Sequence, residues 1–172
     1  EPSLADTLFP EQPGVALQNP ISADMAVMRS SILPGLLSTL KYNENRQQDR
    51  IRIFESGLVF KQKDNDIEQT PMLAGLISGS KMPINWSNNK DLSDFYDVKG
   101  DIEALLSMGL ESERYDFAPA DFACFHSGQC ASLSKDGNII GYIGALHPAL
   151  QRKLGITASC YLFELELAPL QL

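Results

Sequence analysis

Residues Asn19–Arg46 read NPISADMAVMRSSILPGLLSTLKYNENR, and this stretch sets the frame for the rest of the chain. Proline disfavours the helical region for the residue before it, so Asn19 is expected to close an extended segment that begins at Val15. Ser31 is placed to cap a helix, its hydroxyl accepting from a first-turn backbone N–H that has no partner of its own. Pro34 then falls within that turn, where a missing N–H costs little. Ile32, Leu33, Leu36, Leu37 and Leu40 recur at helical spacing and form one apolar stripe. Lys41, Asn43, Asn45 and Arg46 make the far end polar and basic, which suits the negative end of the helix dipole.

Outward from this helix, Glu1–Gly14 holds three prolines and mixed charge and is expected to be an irregular arm. Residues 15–172 are expected to form one domain. Arg50–Phe60 alternates and is rich in Ile, Val and Phe, the pattern of a long strand, with Gly57 marking a bulge or a close backbone approach. Lys61–Gln69 is a polar turn region, and Met72–Ser78 is a central strand. Lys81–Lys90 is a loop carrying Trp86. Ser93 or Asp94 caps a second helix, whose stripe is Phe95, Val98, Ile102, Leu105 and Leu106, and Gly109 stops it. Arg114–Ala118 is a further strand. Gln129–Ser134 and Ile139–Leu146 flank Lys135-Asp136-Gly137-Asn138, a hairpin signal. Pro148–Leu154 is a short helix, and Tyr161–Leu167 a strand with Phe163, Leu165 and Leu167 on one face and Glu164 and Glu166 on the other. Hairpin-joined strands with helices inserted at intervals give an α+β domain, a mostly antiparallel sheet flanked by helices.

The formal net charge of -8 argues against autonomous nucleic-acid binding, because phosphate contacts need a basic field. No apolar run is long enough to cross a membrane and no signal peptide is evident. Cys124, Cys130 and Cys160 are odd in number and lack paired spacing, so reduced thiols and a cytoplasmic location are expected. The start at Glu1 rather than Met fits an excised piece or a processed terminus. Asp91, Asp94, Asp97, Asp101 and Glu103 are read as an acidic helix start rather than a metal cluster, since a hard cation needs ligands from more than one segment. Cys124, His126, Cys130 and His147 are spaced too loosely for zinc. No nucleophilic triad is evident, and no residue is assigned a catalytic, cofactor-binding or metal role. Lys41, Arg46, Arg50 and Arg52 form the only basic concentration, which favours a protein contact over RNA.

Four segments occur in order: Asn19–Arg46, Phe54–Phe60 (FESGLVF), Phe95–Gly100 (FYDVKG) and Gly141–Pro148 (GYIGALHP). Together they resemble the catalytic-like module of the bacterial phenylalanyl-tRNA synthetase beta chain, over about Val15 to Leu167. His126-Ser127-Gly128 departs from the His-Pro-Gly of that family, a change a turn should tolerate. The resemblance implies a class II aminoacyl-tRNA synthetase-like core without its chemistry. Such cores carry an Arg-x-Glu pair on one strand and a late Gly-rich segment ending in Arg. Here Arg52-Ile53-Phe54-Glu55 has the wrong spacing, and Gly144–Pro148 has neither glycine run nor arginine. The resemblance further implies packing on a catalytic alpha chain in a heterotetramer that joins phenylalanine to its tRNA. ATP and magnesium belong to that parent complex, and tRNA is met only through it. An active class II ligase domain and a tRNA-contacting module are the alternatives. Arg29, Asn43, Arg46 and Trp86 are the candidate interface residues, since Arg and aromatic anchors dominate protein contacts. An internal carboxylate partner is the competing reading for the arginines.

Overall fold

A computed structural model describes residues 4–9, 14–21, 26–63, 66–83, 85, 91–109 and 112–170. The helices are α1 (Leu4–Leu8), α2 (Leu33–Glu44), α3 (Phe95–Ser107) and α4 (Pro148–Leu154). The strands are β1 (Val15–Ala16), β2 (Val27–Met28), β3 (Arg50–Lys63), β4 (Asp66–Gly79), β5 (Tyr115–Pro119), β6 (Phe125–Lys135), β7 (Asn138–Leu146) and β8 (Cys160–Glu166). β1 and β2 form a small antiparallel pair. The others form one six-stranded sheet in the order β3-β4-β8-β7-β6-β5, antiparallel throughout, as the alternation and hairpin signals predict.

Strand alternation sends side chains to two cores. Ala74, Leu76, Cys160 and Leu162 join Leu33, Leu36, Leu37 and Leu40 of α2 on one face, where Leu150 and Leu154 of α4 also pack. Ile77, Ile143, Phe163 and Leu165 meet Val98, Ile102 and Leu106 of α3 on the other. The sheet is thus sandwiched, and its central strands are buried on both sides.

Local signals explain much of this. Asp94 caps α3 with a full capping box: its carboxylate accepts from the Tyr96 and Asp97 N–H groups, and Asp97 accepts from the Asp94 N–H. Asp136 and Gly137 turn β6 into β7 with positive φ at both residues, 51° and 80°. Pro148 opens α4, and Gly155 closes it in the left-handed region at φ 66°.

Four expectations are corrected. The arm is not wholly irregular: it contains α1, and Leu8 and Phe9 are buried in the core, an amphipathic anchor too short to show a periodic pattern. Extension from Val15 to Asn19 reduces to the two residues of β1. Lys61–Gln69 is not a turn region, because β3 and β4 stay in register out to Lys63 opposite Asp66. Opposite charges face each other there, Lys61 across from Glu68 and Lys63 across from Asp66, so a polar stretch sustains a solvated ladder. Finally, Ser31 is not the N-cap of α2. That position is Ile32, at φ -85° and ψ -24°, and it has no side-chain cap of its own.

Candidate functional site

The start of α2 is held by a carboxylate from the far end of the chain. Ile32 N–H donates to Glu164 of β8 at 2.6 Å, and the Ser31 hydroxyl donates to the same carboxylate at 2.9 Å. Ser31 still contributes as expected in kind, since its oxygen accepts from Leu33 N–H at 3.1 Å. An anion at a helix N-terminus also complements the dipole. Burial pushes the Glu164 carboxyl above its ordinary pKa, only partly offset by the Ile32 and Ser31 donors and by Lys61 and Arg29. The residues alone did not reveal this role, because the partners lie more than a hundred positions apart in sequence.

Arg29 lies across β3. Its Nε donates to the Leu58 carbonyl at 2.8 Å and its guanidinium pairs with Glu55. Gly57 is explained by this crossing, not by a bulge: a Cβ there would stand 2.1 Å from the Arg29 Nη2, and the β3–β4 register is unbroken. Arg52 pairs instead with Asp101 of α3. Arg52 and Glu55 therefore point to opposite faces of the sheet, as an odd separation in a strand requires.

At the other end of α2, Arg46 stacks over the Tyr42 ring at 3.4 Å from its centroid and donates to the Tyr42 carbonyl. Asn43 is tied to the Thr39 carbonyl at 2.8 Å. Tyr42 and Arg46 are exposed, and Arg29 is separated from them by the helix, about 18 Å at 1.5 Å per residue. The structure thus places Asn43 and Arg46 at one end of α2 and Arg29 beyond the other end, across β3, rather than in one spot. Trp86 lies outside the described residues.

The acidic run at the start of α3 is committed locally. Asp94 is the cap, Asp97 pairs with Lys81, and Asp101 pairs with Arg52. Burial pushes the Asp97 carboxyl up, but the Lys81 ammonium, the Asp94 backbone and Arg52 outweigh it and hold its pKa below the ordinary value. His126 and His147 each turn Nδ1 to a nearby backbone N–H, and Cys124 is buried with its thiol pKa pushed up. Among the described residues no three such groups converge on a point.

A sequence profile of the phenylalanyl tRNA synthetase beta chain CLM domain matches residues 1–167. The phenylalanine–tRNA ligase beta subunit of Pseudomonas putida is 46% identical over 167 residues, which are 97% of this chain and 21% of that protein. The beta subunit of Hahella chejuensis is 49% identical over 158 residues, 92% of this chain and 20% of that one. The chain therefore spans only a minor part of the length of the relatives it matches. Among solved structures, the pyrrolysyl tRNA synthetase PylSc of Desulfitobacterium hafniense superimposes with a TM-score of 0.63 at 16% identity, covering 98% of this chain and 54% of that one. That likeness carries the class II synthetase fold.

Proposed function

The chain belongs to the family of the phenylalanyl tRNA synthetase beta chain CLM domain, and from that premise we propose that it is a non-catalytic scaffold which packs on the alpha chain of the enzyme. The observation that carries the non-catalytic half is the fate of Arg52 and Glu55. They face opposite sides of the sheet, and each is engaged by an internal ion pair, with Asp101 and Arg29. A triphosphate needs cations and a carboxylate converging on one face, and this strand offers them divided. The late segment Gly144–Pro148 supplies no arginine to compensate.

The partner-binding half is supported by α2. Tyr42 and Arg46 form an exposed aromatic–cation pair at its end, a residue combination favoured at protein contacts. Arg29, Asn43, Arg46 and Trp86 stand as the proposed contacts. In this reading ATP, magnesium and phenylalanine are handled by the cytoplasmic heterotetramer, and tRNA meets this chain only within it. ATP–pyrophosphate exchange with phenylalanine tests the first half. The expected rate for this chain alone is background, and exchange abolished by Arg52→Ala would overturn the reading.

A further inference from the structure

β3 is an edge strand, and part of its outer side has no backbone partner among the described residues. Two bonds fix which residues face outward: Phe60 N–H donates to the Arg29 carbonyl at 2.9 Å, and the Leu58 carbonyl accepts from Arg29 Nε. Backbone groups in an antiparallel strand alternate sides. Arg52, Phe54 and Ser56 therefore turn their N–H and C=O groups away from β4, and none of these groups has a partner among the described residues. Native sheets shield such edges with prolines, bulges or covering segments. β3 holds no proline, its register with β4 is unbroken, and among the described residues no segment hydrogen-bonds to the outward backbone groups of this stretch. Phe54 stands beside the bare groups, 77% exposed, at a groove of about 370 Å³ walled by Leu73, Ile77, Leu105 and Phe163.

We propose that this edge takes up an extended segment of the partner chain as an additional strand, with an apolar side chain beside Phe54 and a carboxylate opposite Arg50. This rests on the scaffold reading and specifies its partner contact. The unpaired N–H and C=O groups select an extended backbone as the ligand. Charge selects its composition. The chain carries -8 overall, yet the side chains that β3 turns toward α3 from Arg50 to Phe60 include two arginines and no carboxylate. Arg52 is matched by Asp101, whereas Arg50 is exposed and makes no ion pair among the described residues. A second copy pairing edge to edge would bring the same acid-free face and leave Arg50 unmatched.

The test uses the full beta chain with and without its alpha chain. Hydrogen exchange at the Arg52, Phe54 and Ser56 amides should slow by about ten-fold or more in the complex, since each gains a strand partner. Ser56→Pro provides a backbone test, because its N–H faces outward and its loss is tolerable on an edge. The variant should keep its fold and lose about ten-fold in affinity for the alpha chain. Arg50→Glu should weaken binding in the same sense. A complex that forms while these amides exchange unchanged overturns the edge proposal and leaves the scaffold reading standing. If Ser56→Pro disturbs the fold, the exchange result on the unaltered chain decides. Protection of the same amides in the beta chain alone, rising with its concentration, would assign the edge to a second copy and refute the proposal. No complex at all would refute the scaffold reading and this one with it.

Discussion

Replacing Glu164 with alanine should destabilise the chain by about 2 kcal/mol, although the residue sits on a strand far from α2 in sequence. The change leaves the Ile32 N–H unpaired at a helix end where Ile32 itself is buried, and an unsatisfied buried donor costs about 1–3 kcal/mol. It also removes the acceptor of the Ser31 hydroxyl, which can turn elsewhere at smaller cost. Against this, a carboxylate whose ionised form is disfavoured by burial is no longer present. Ser31→Ala should cost about 1 kcal/mol, since it frees Leu33 N–H and removes one donor to Glu164. Because the two side chains touch, the double variant should depart from additivity by about 0.5–1 kcal/mol. Urea denaturation reads this as a midpoint shift of about 1 M for Glu164→Ala, with the slope unchanged. A shift below about 0.3 M, or strict additivity with Ser31→Ala, would mean that α2 is held by its apolar stripe alone.

Titration of Glu164 gives a pH prediction. Its folded pKa lies above the ordinary carboxylate value, so the folded state binds the proton to higher pH than the unfolded state does. Stability should therefore fall as pH rises from the ordinary value through the folded one, and Glu164→Gln should remove that component of the slope in denaturation curves. The glycines give a paired contrast. Gly57→Ala meets only the mobile end of Arg29 and should cost about 1 kcal/mol, with the Arg29–Glu55 pair lost. Gly141→Ala meets the Glu164 carbonyl at 2.2 Å, backbone that cannot yield, and should cost clearly more by the same urea assay. Asp94→Ala removes the capping box and should cost about 1 kcal/mol, with faster hydrogen exchange confined to the first turn of α3. Cys124 and Cys160 are buried, with thiol pKa values raised by burial, that of Cys160 to about 12. They should react with a thiol reagent near neutral pH only as fast as the chain unfolds.

Much of the fold was legible because its signals are local. The stripe of α2, the Asp94 cap, the Asp136-Gly137 turn and Pro148 each act within one turn of chain, and each forms the element its pattern implies. What sequence did not reveal depends on partners distant in the chain. Glu164 looked like the polar side of a half-exposed strand, because nothing nearby announces that α2 docks its N-terminus on that face. Lys61–Gln69 looked like a turn because its ladder is stabilised by cross-strand charge pairs rather than by apolar alternation. Arg29 was open between partner and internal carboxylate, and its contact with Glu55 required knowing that Gly57 leaves room over β3. Arg29 lies beyond one end of α2 and Asn43 and Arg46 at the other, a separation that follows only from the helix geometry.

The central claim is that this chain holds an alpha chain and does not do the chemistry. Sedimentation equilibrium of a phenylalanyl alpha chain mixed with this chain tests it most directly. The account predicts a discrete complex that Arg46→Glu weakens while the variant stays folded. An alpha chain that sediments alone at every concentration, with both chains folded, would contradict it.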